Sequence, residues 1–140
     1  MNRFVLDCSI TLSWFFEDEQ TEDSDRVRRA IEQGSEIVVP SIWPLEIVNG
    51  LVVAERRKRI TNYQLSGYIE RIRLLPIHID AIQLDRTLTD VLKLAGKHAL
   101  SSYDASYLEL SVRNSLPIAT LDRKLRSAAE NLEIAIFGSV

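Results

Sequence analysis

Apolar residues along the chain follow two different spacings. Short runs of the β type occur at Arg3 to Leu6, Glu36 to Val39, Leu116 to Thr120 and Glu133 to Ile136. Ile77 to Ile79, directly after Pro76, reads as a fifth and shorter strand. Between these runs the period changes to that of a helix. Leu65, Tyr68, Ile69 and Ile72 fall at i, i+3, i+4 and i+7, and Leu84, Leu88, Val91, Leu92 and Ala95 keep the same stripe over three turns. Thr61 is placed to cap the first of these helices, and Gly96 to end the second in a left-handed turn. Further helices are predicted from Pro44 to Arg57, with proline in the first turn, from Ser102 to Arg113, and from Arg123 to about Leu132. Strands alternating with helices predict a parallel sheet covered on both sides, a three-layer α/β/α sandwich.

Composition limits the alternatives. With 140 residues, 46% of them hydrophobic, the chain can build one packed core, so a single domain over residues 1–140 is expected. Neither a repeat nor a linker interrupts it. Apolar runs such as Ile37 to Pro40 fall far short of the ~20 residues that cross a bilayer. Asp7 interrupts the stretch that a signal peptide would need, and the single cysteine, Cys8, has no internal partner, so a reducing cytoplasm is the expected compartment. The net charge of −3 would repel a phosphate backbone, so any binding of nucleic acid must come from a local basic patch or from metal ions.

In parallel α/β sheets, ligands bind beyond the carboxyl ends of the strands. Asp7 follows the first strand, Glu46 lies in the first turn of the helix after the second, Asp104 opens the helix before the Leu116 to Thr120 strand, and Asp122 follows that strand. Each acid also has a capping explanation. Asp7 and Asp122 fit N-cap positions, Ser101 with Asp104 fits a capping box, and the first turn containing Glu46 favours an acid. Taken singly, capping is the better account of Asp104 and Asp122, while Glu46 is balanced. Asp7 points to function, because it ends an otherwise apolar strand.

Convergence on one edge changes that balance, because a carboxylate pair 4 Å apart repels by up to ~4 kcal/mol at an effective dielectric of 20. A divalent cation removes the repulsion. His78 and His98 have no second histidine or cysteine at ligand spacing, so zinc is disfavoured and an all-oxygen set suits Mg²⁺ or Mn²⁺. Asn49 lies one turn after Glu46 on its face, and its role stays open, as does that of Thr120. Ser9 reads as an ordinary capping or surface hydroxyl. Cys8 has no histidine nearby to make a thiolate and reads as structural.

Two other features stand out. Arg56-Arg57-Lys58-Arg59 ends the helix that begins near Glu46, eleven residues from Glu46 to Arg57, or roughly 16 Å at 1.5 Å per residue. It suits the helix dipole first and flanking phosphates second; Arg123 and Lys124, beside Asp122, are closer candidates. In Trp14-Phe15-Phe16, three consecutive bulky residues cannot all face one way on a helix, so one of them is expected to reach another surface.

The segments Phe4-Val5-Leu6-Asp7-Cys8-Ser9, Trp43-Pro44-Leu45-Glu46-Ile47-Val48-Asn49, Tyr103-Asp104-Ala105-Ser106-Tyr107-Leu108 and Ala119-Thr120-Leu121-Asp122-Arg123-Lys124-Leu125 together resemble the PIN-domain family, and within it the VapC ribonuclease toxins of type II toxin–antitoxin systems. The resemblance runs from Arg3 to about Ile136. It implies a five-stranded parallel sheet and a Mg²⁺- or Mn²⁺-dependent endoribonuclease that hydrolyses RNA phosphodiester bonds with metal-activated water. Its acids fall on Asp7, Glu46, Asp104 and Asp122, none of them lost. It further implies a VapB-like antitoxin as partner and a homodimer.

Two other readings remain beside it. A catalytically idle PIN-like module would only bind RNA or protein, and is disfavoured by the intact acids. A phosphoaspartyl phosphatase or receiver domain also places an aspartate after its first strand. The phosphatase needs a second aspartate at position 9, where Ser9 stands, and the receiver needs paired acids that are absent.

Overall fold

The structure, a computed structural model, describes residues 2–139. Four strands, β1 (Arg3–Leu6), β2 (Glu36–Pro40), β3 (Ile77–Asp80) and β4 (Ile118–Ala119), form one parallel sheet in the order β3-β2-β1-β4. Phe4, Val5 and Leu6 are consecutive and all fully buried, as are Ile37 and Val39. Neighbouring residues point to opposite faces of a strand, so both faces of the sheet are covered. The helices α1 (Cys8–Ser13), α2 (Glu22–Glu32), α3 (Trp43–Arg56), α4 (Asn62–Arg73), α5 (Leu84–Arg86), α6 (Leu92–His98), α7 (Ser102–Asn114) and α8 (Arg123–Asn131) supply the cover. No helix among the described residues is long and apolar enough to cross a membrane.

The sheet has four strands rather than the expected five. The Ile77 segment does form a strand, at the edge, in register with β2 from Ile37↔Ile77 to Pro40↔Asp80. The Glu133 segment does not. Glu133 takes a left-handed φ of 59° to turn the chain out of α8, and the Ile134 amide bonds back to the Ala129 carbonyl at 2.8 Å. What remains is a single bridge of Ile136 to Ile118, with amide bonds from Ile118 to Ala135 (3.0 Å) and from Phe137 to Ile118 (2.8 Å).

The helical stripe from Leu84 continues to His98, but passes through a π-helical segment at Thr87–Val91. Its left-handed end falls on Ala99 (φ 53°) rather than on Gly96. The Leu100 amide bonds to the Ala95 carbonyl there and Leu100 is buried, so tertiary packing outweighs the ~1 kcal/mol or more that a left-handed alanine costs. Thr61 caps α4 as expected, in a reciprocal box with Gln64. The helix α1 is too short to show a period, and α2 carries a narrow apolar stripe of Val27, Ala30 and Ile31 in a mostly charged sequence. α2 buries only Ser24 and Val27 and is started by a box between Thr21 and Ser24.

Trp14, Phe15 and Phe16 are all buried, contrary to the expectation that one reaches another surface. α1 ends at Ser13, Trp14 is its cap and Phe16 is already extended, so the three rings diverge inside the fold. Trp14 Nε1 donates to the Ser24 carbonyl (2.9 Å), Phe15 stacks on Tyr68, and Arg59 lies over Phe16. Arg59 also pairs with Asp18 (2.7 Å) and Glu19 (3.0 Å), which takes it out of the basic run as a free cation.

Candidate functional site

The carboxyl ends of β1, β2 and β4 meet where α7 begins. Asp7 leaves β1 directly, at 5% exposure. Its Oδ2 accepts two hydroxyls, from Ser9 (2.6 Å) and Thr120 (2.7 Å). Each hydroxyl in turn accepts a backbone amide of the segment after β4, Ser9 from Leu121 and Thr120 from Asp122, both at 3.0 Å. Ser9 is therefore not the ordinary capping or surface hydroxyl expected of it. It ties Asp7 to the Asp122 segment 112 residues away in sequence. Thr120, whose role was open, does the same from the other side.

Glu46 arrives from α3, half-buried. One donor atom from each of Asp7, Cys8 and Glu46 lies within 4.8 Å of the others. The close packing of α1 on α3 makes this approach, since a Cβ at Gly50 would stand 2.6 Å from the Leu12 side chain. Tyr107 Oη donates to Glu46 Oε1 at 2.6 Å. No role for Tyr107 was read from the sequence, although its place one turn after Asp104 on α7 puts the two on one face. Asn49 is exposed and lines an open groove of about 470 Å³ with Cys8, Glu46 and Tyr103.

Asp104 and Asp122 stand outside that compact group. Asp122 does cap α8, accepting the Leu125 amide on Oδ1 (3.0 Å). Asp104 is not a cap: Ser101 accepts its amide at 3.1 Å, and the return bond that would complete a capping box is not formed. Burial, first, and then the charges of Asp122 and Asp7 push its carboxyl above the usual carboxylate range. Asp7 is raised chiefly by burial, against the pull of its two hydroxyls and with Asp122 adding repulsion. Glu46 is raised by burial and by Asp7 and Asp104, with the Tyr107 hydroxyl opposing. None of the four acids makes a salt bridge among the described residues.

Four carboxyls thus share electrostatic space without a protein cation in contact, and their donors are hard oxygens. This set fits a hard divalent ion. Cys8 lies among them, but burial and the neighbouring acids push its thiol well up, which disfavours the thiolate that a nucleophile would need.

A family profile described as PIN domain matches residues 4–131. The chain belongs to the PIN domain family. Ribonuclease VapC3 of Pyrobaculum aerophilum is 28% identical to this PIN domain over 127 residues, spanning 88% of the chain and 92% of that protein. The crystal structure of PAE2754 from Pyrobaculum aerophilum shares the fold, with a TM-score of 0.67 at 20% identity over 91% of this chain and 84% of that one.

Proposed function

We propose that this PIN domain is a metal-dependent endoribonuclease, the toxin of a toxin–antitoxin pair, acting as one domain in the cytoplasm. The observation that carries the reading is the approach of Asp7 and Glu46 at the carboxyl edge of the sheet, with the unpaired charges of Asp104 and Asp122 acting on them. Similarity to a ribonuclease over most of both chains supports it.

Asp7, Glu46 and Asp104 would hold the ion, Mg²⁺ or Mn²⁺, with Asp122 completing the set directly or through water. When bound, the ion supplies an activated water and offsets charge that builds on the RNA phosphate. The chain's part is to fix the ligands. Ser9 and Thr120 lock one oxygen of Asp7, Tyr107 locks one of Glu46, and the Leu125 amide locks one of Asp122. Fixed carboxylates that repel one another are already arranged for a cation and reorganise little when it binds. No side chain is needed as nucleophile.

Partners follow from the same reading: RNA as substrate, a VapB-like antitoxin that holds the site inactive, and a second copy of the chain. The exposed row Leu84, Leu88 and Leu92, at 69%, 58% and 68%, supports an apolar contact between copies. The test is direct. The purified full chain, free of any partner, cleaves RNA with Mg²⁺ or Mn²⁺, stops with EDTA, and resumes when the metal is restored. RNA bound but never cut under these conditions refutes the enzyme and leaves an idle binding module.

A further inference from the structure

Beside the acids, on the far side of Asp122, the surface changes sign. A cavity of about 430 Å³ lies between the end of α6 and one side of α8, lined by Lys97, His98, Arg123, Lys124, Ser127 and Asn131. Lys97, Arg123 and Lys124 have no acidic partner within salt-bridge distance among the described residues, as is true of Arg29, Arg56, Arg57, Lys58, Arg71 and Lys93, but these three line one cavity. His98 Nε2 is enclosed, with no hydrogen-bond partner among those residues. Arg123 and Lys124 occupy the first turn of α8, which carries no acid. Cations there oppose the positive end of the helix dipole, so the helix itself gains nothing from them. An anion in the cavity would meet three cations that no carboxylate of the described residues pairs.

The cavity adjoins the acids. Lys124 is close enough to Asp104 to favour its charged form. The Arg56 to Lys58 run, by contrast, sits at the other end of α3 from Glu46.

We propose that this cavity is a subsite for a backbone phosphate of the RNA, adjacent to the one that is cut and gripped by Lys97, Arg123 and Lys124, with His98 and Ser127 as further hydrogen-bonding groups. The proposal rests on the ribonuclease reading. It also gives the substrate a direction across the site, with the strand leaving the acids over α8 and the end of α6 rather than along α3. A protein of net negative charge thereby binds RNA through one local patch.

The test compares two doubly substituted full-length chains with the parent. Lys97→Ala with Lys124→Ala removes two cations from the cavity; Arg56→Ala with Lys58→Ala removes two from the distant helix end. All three should melt at the same temperature, because none of these side chains is paired.

For cleavage of a single-stranded RNA, the cavity variant should show a KM raised about tenfold with kcat within about twofold, as expected for binding shared by ground and transition states. Anisotropy of the labelled RNA, read in the Asp7→Asn background so that no cleavage intervenes, should show the salt slope reduced by about 1.4, or roughly 0.7 for each phosphate that is no longer neutralised. The distant variant should change neither quantity. Equal effects from both variants mean only net charge matters, and overturn the subsite, as does an unchanged slope in the cavity variant. Inorganic phosphate that displaces the RNA at equal concentration would show a site for free anions instead, and overturns it too. If no RNA is ever cleaved but the cavity variant alone loses salt-dependent binding, the enzyme reading fails and the subsite stands.

Discussion

Replacing Asp7 by asparagine separates the cost of the acid cluster from its use. One donor of Asp7 lies within 4.8 Å of one of Glu46, so while both are ionised their repulsion is about 3 kcal/mol at an effective dielectric of 20. Asparagine removes this and keeps an oxygen where Ser9 and Thr120 donate. Those two bonds then go to a neutral acceptor and each weakens by about 1 kcal/mol. The balance is a gain of about 1 kcal/mol, or about 3 °C in Tm for a chain of this size.

Asp7→Ala keeps the electrostatic relief but leaves both hydroxyls without an acceptor, and should fall about 2–3 kcal/mol below Asp7→Asn. Thermal melts in EDTA measure the two variants against the parent. In saturating Mn²⁺ the order inverts. The parent gains about 2.7 kcal/mol when the ion is at a hundred times its Kd, whereas Asp7→Asn, having lost a ligand, gains little and cleaves no RNA. An Asp7→Asn protein that melts below the parent in EDTA, responds equally to Mn²⁺ and still cleaves would refute the reasoning at every step.

The remaining expectations concern pH, the supporting groups and the fold. Asp7, Glu46 and Asp104 all have raised pKa values, so the stability they contribute is full below the ordinary carboxylate range of about 4 and is lost as pH rises through the raised values. The margin of Asp7→Asn over the parent in EDTA should therefore widen from pH 5 to pH 8, and Mn²⁺ should raise the parent's Tm more at the higher pH; calorimetry across that range checks both. Tyr107→Phe keeps the buried ring but releases Glu46, and should weaken Mn²⁺ about tenfold in a titration while costing about 1–2 kcal/mol in stability. Arg113→Ala leaves Glu109, only 6% exposed, with Arg86 at 3.8 Å as its remaining cation, and should cost about 3 kcal/mol in denaturant melts without touching the acids. Cys8 should react slowly with iodoacetamide at pH 8 because its thiol stays protonated, and Cys8→Ala should retain cleavage.

Legibility from the amino-acid order followed the range of the interactions involved. The cap at Thr61, the proline-led start of α3 and the apolar stripe of α4 rest on contacts within a turn or two, and all are present. So is the placing of acids after strands, since strand ends are marked by where apolar runs stop. The lost fifth strand, the left-handed end at Ala99 and the inward turn of Trp14, Phe15 and Phe16 depend on how distant segments close on one another, which no local pattern encodes. The same holds for the hydroxyl clasp on Asp7. Ser9 and Thr120 are common residues in common places until the sheet sets β1 beside β4, and then they converge on a single carboxylate oxygen from positions 111 residues apart. The chemistry of each side chain was present in the order of residues, whereas their shared electrostatics arose only with closure of the sheet, because Coulomb and hydrogen-bond energies depend on distance in space and not on distance along the chain.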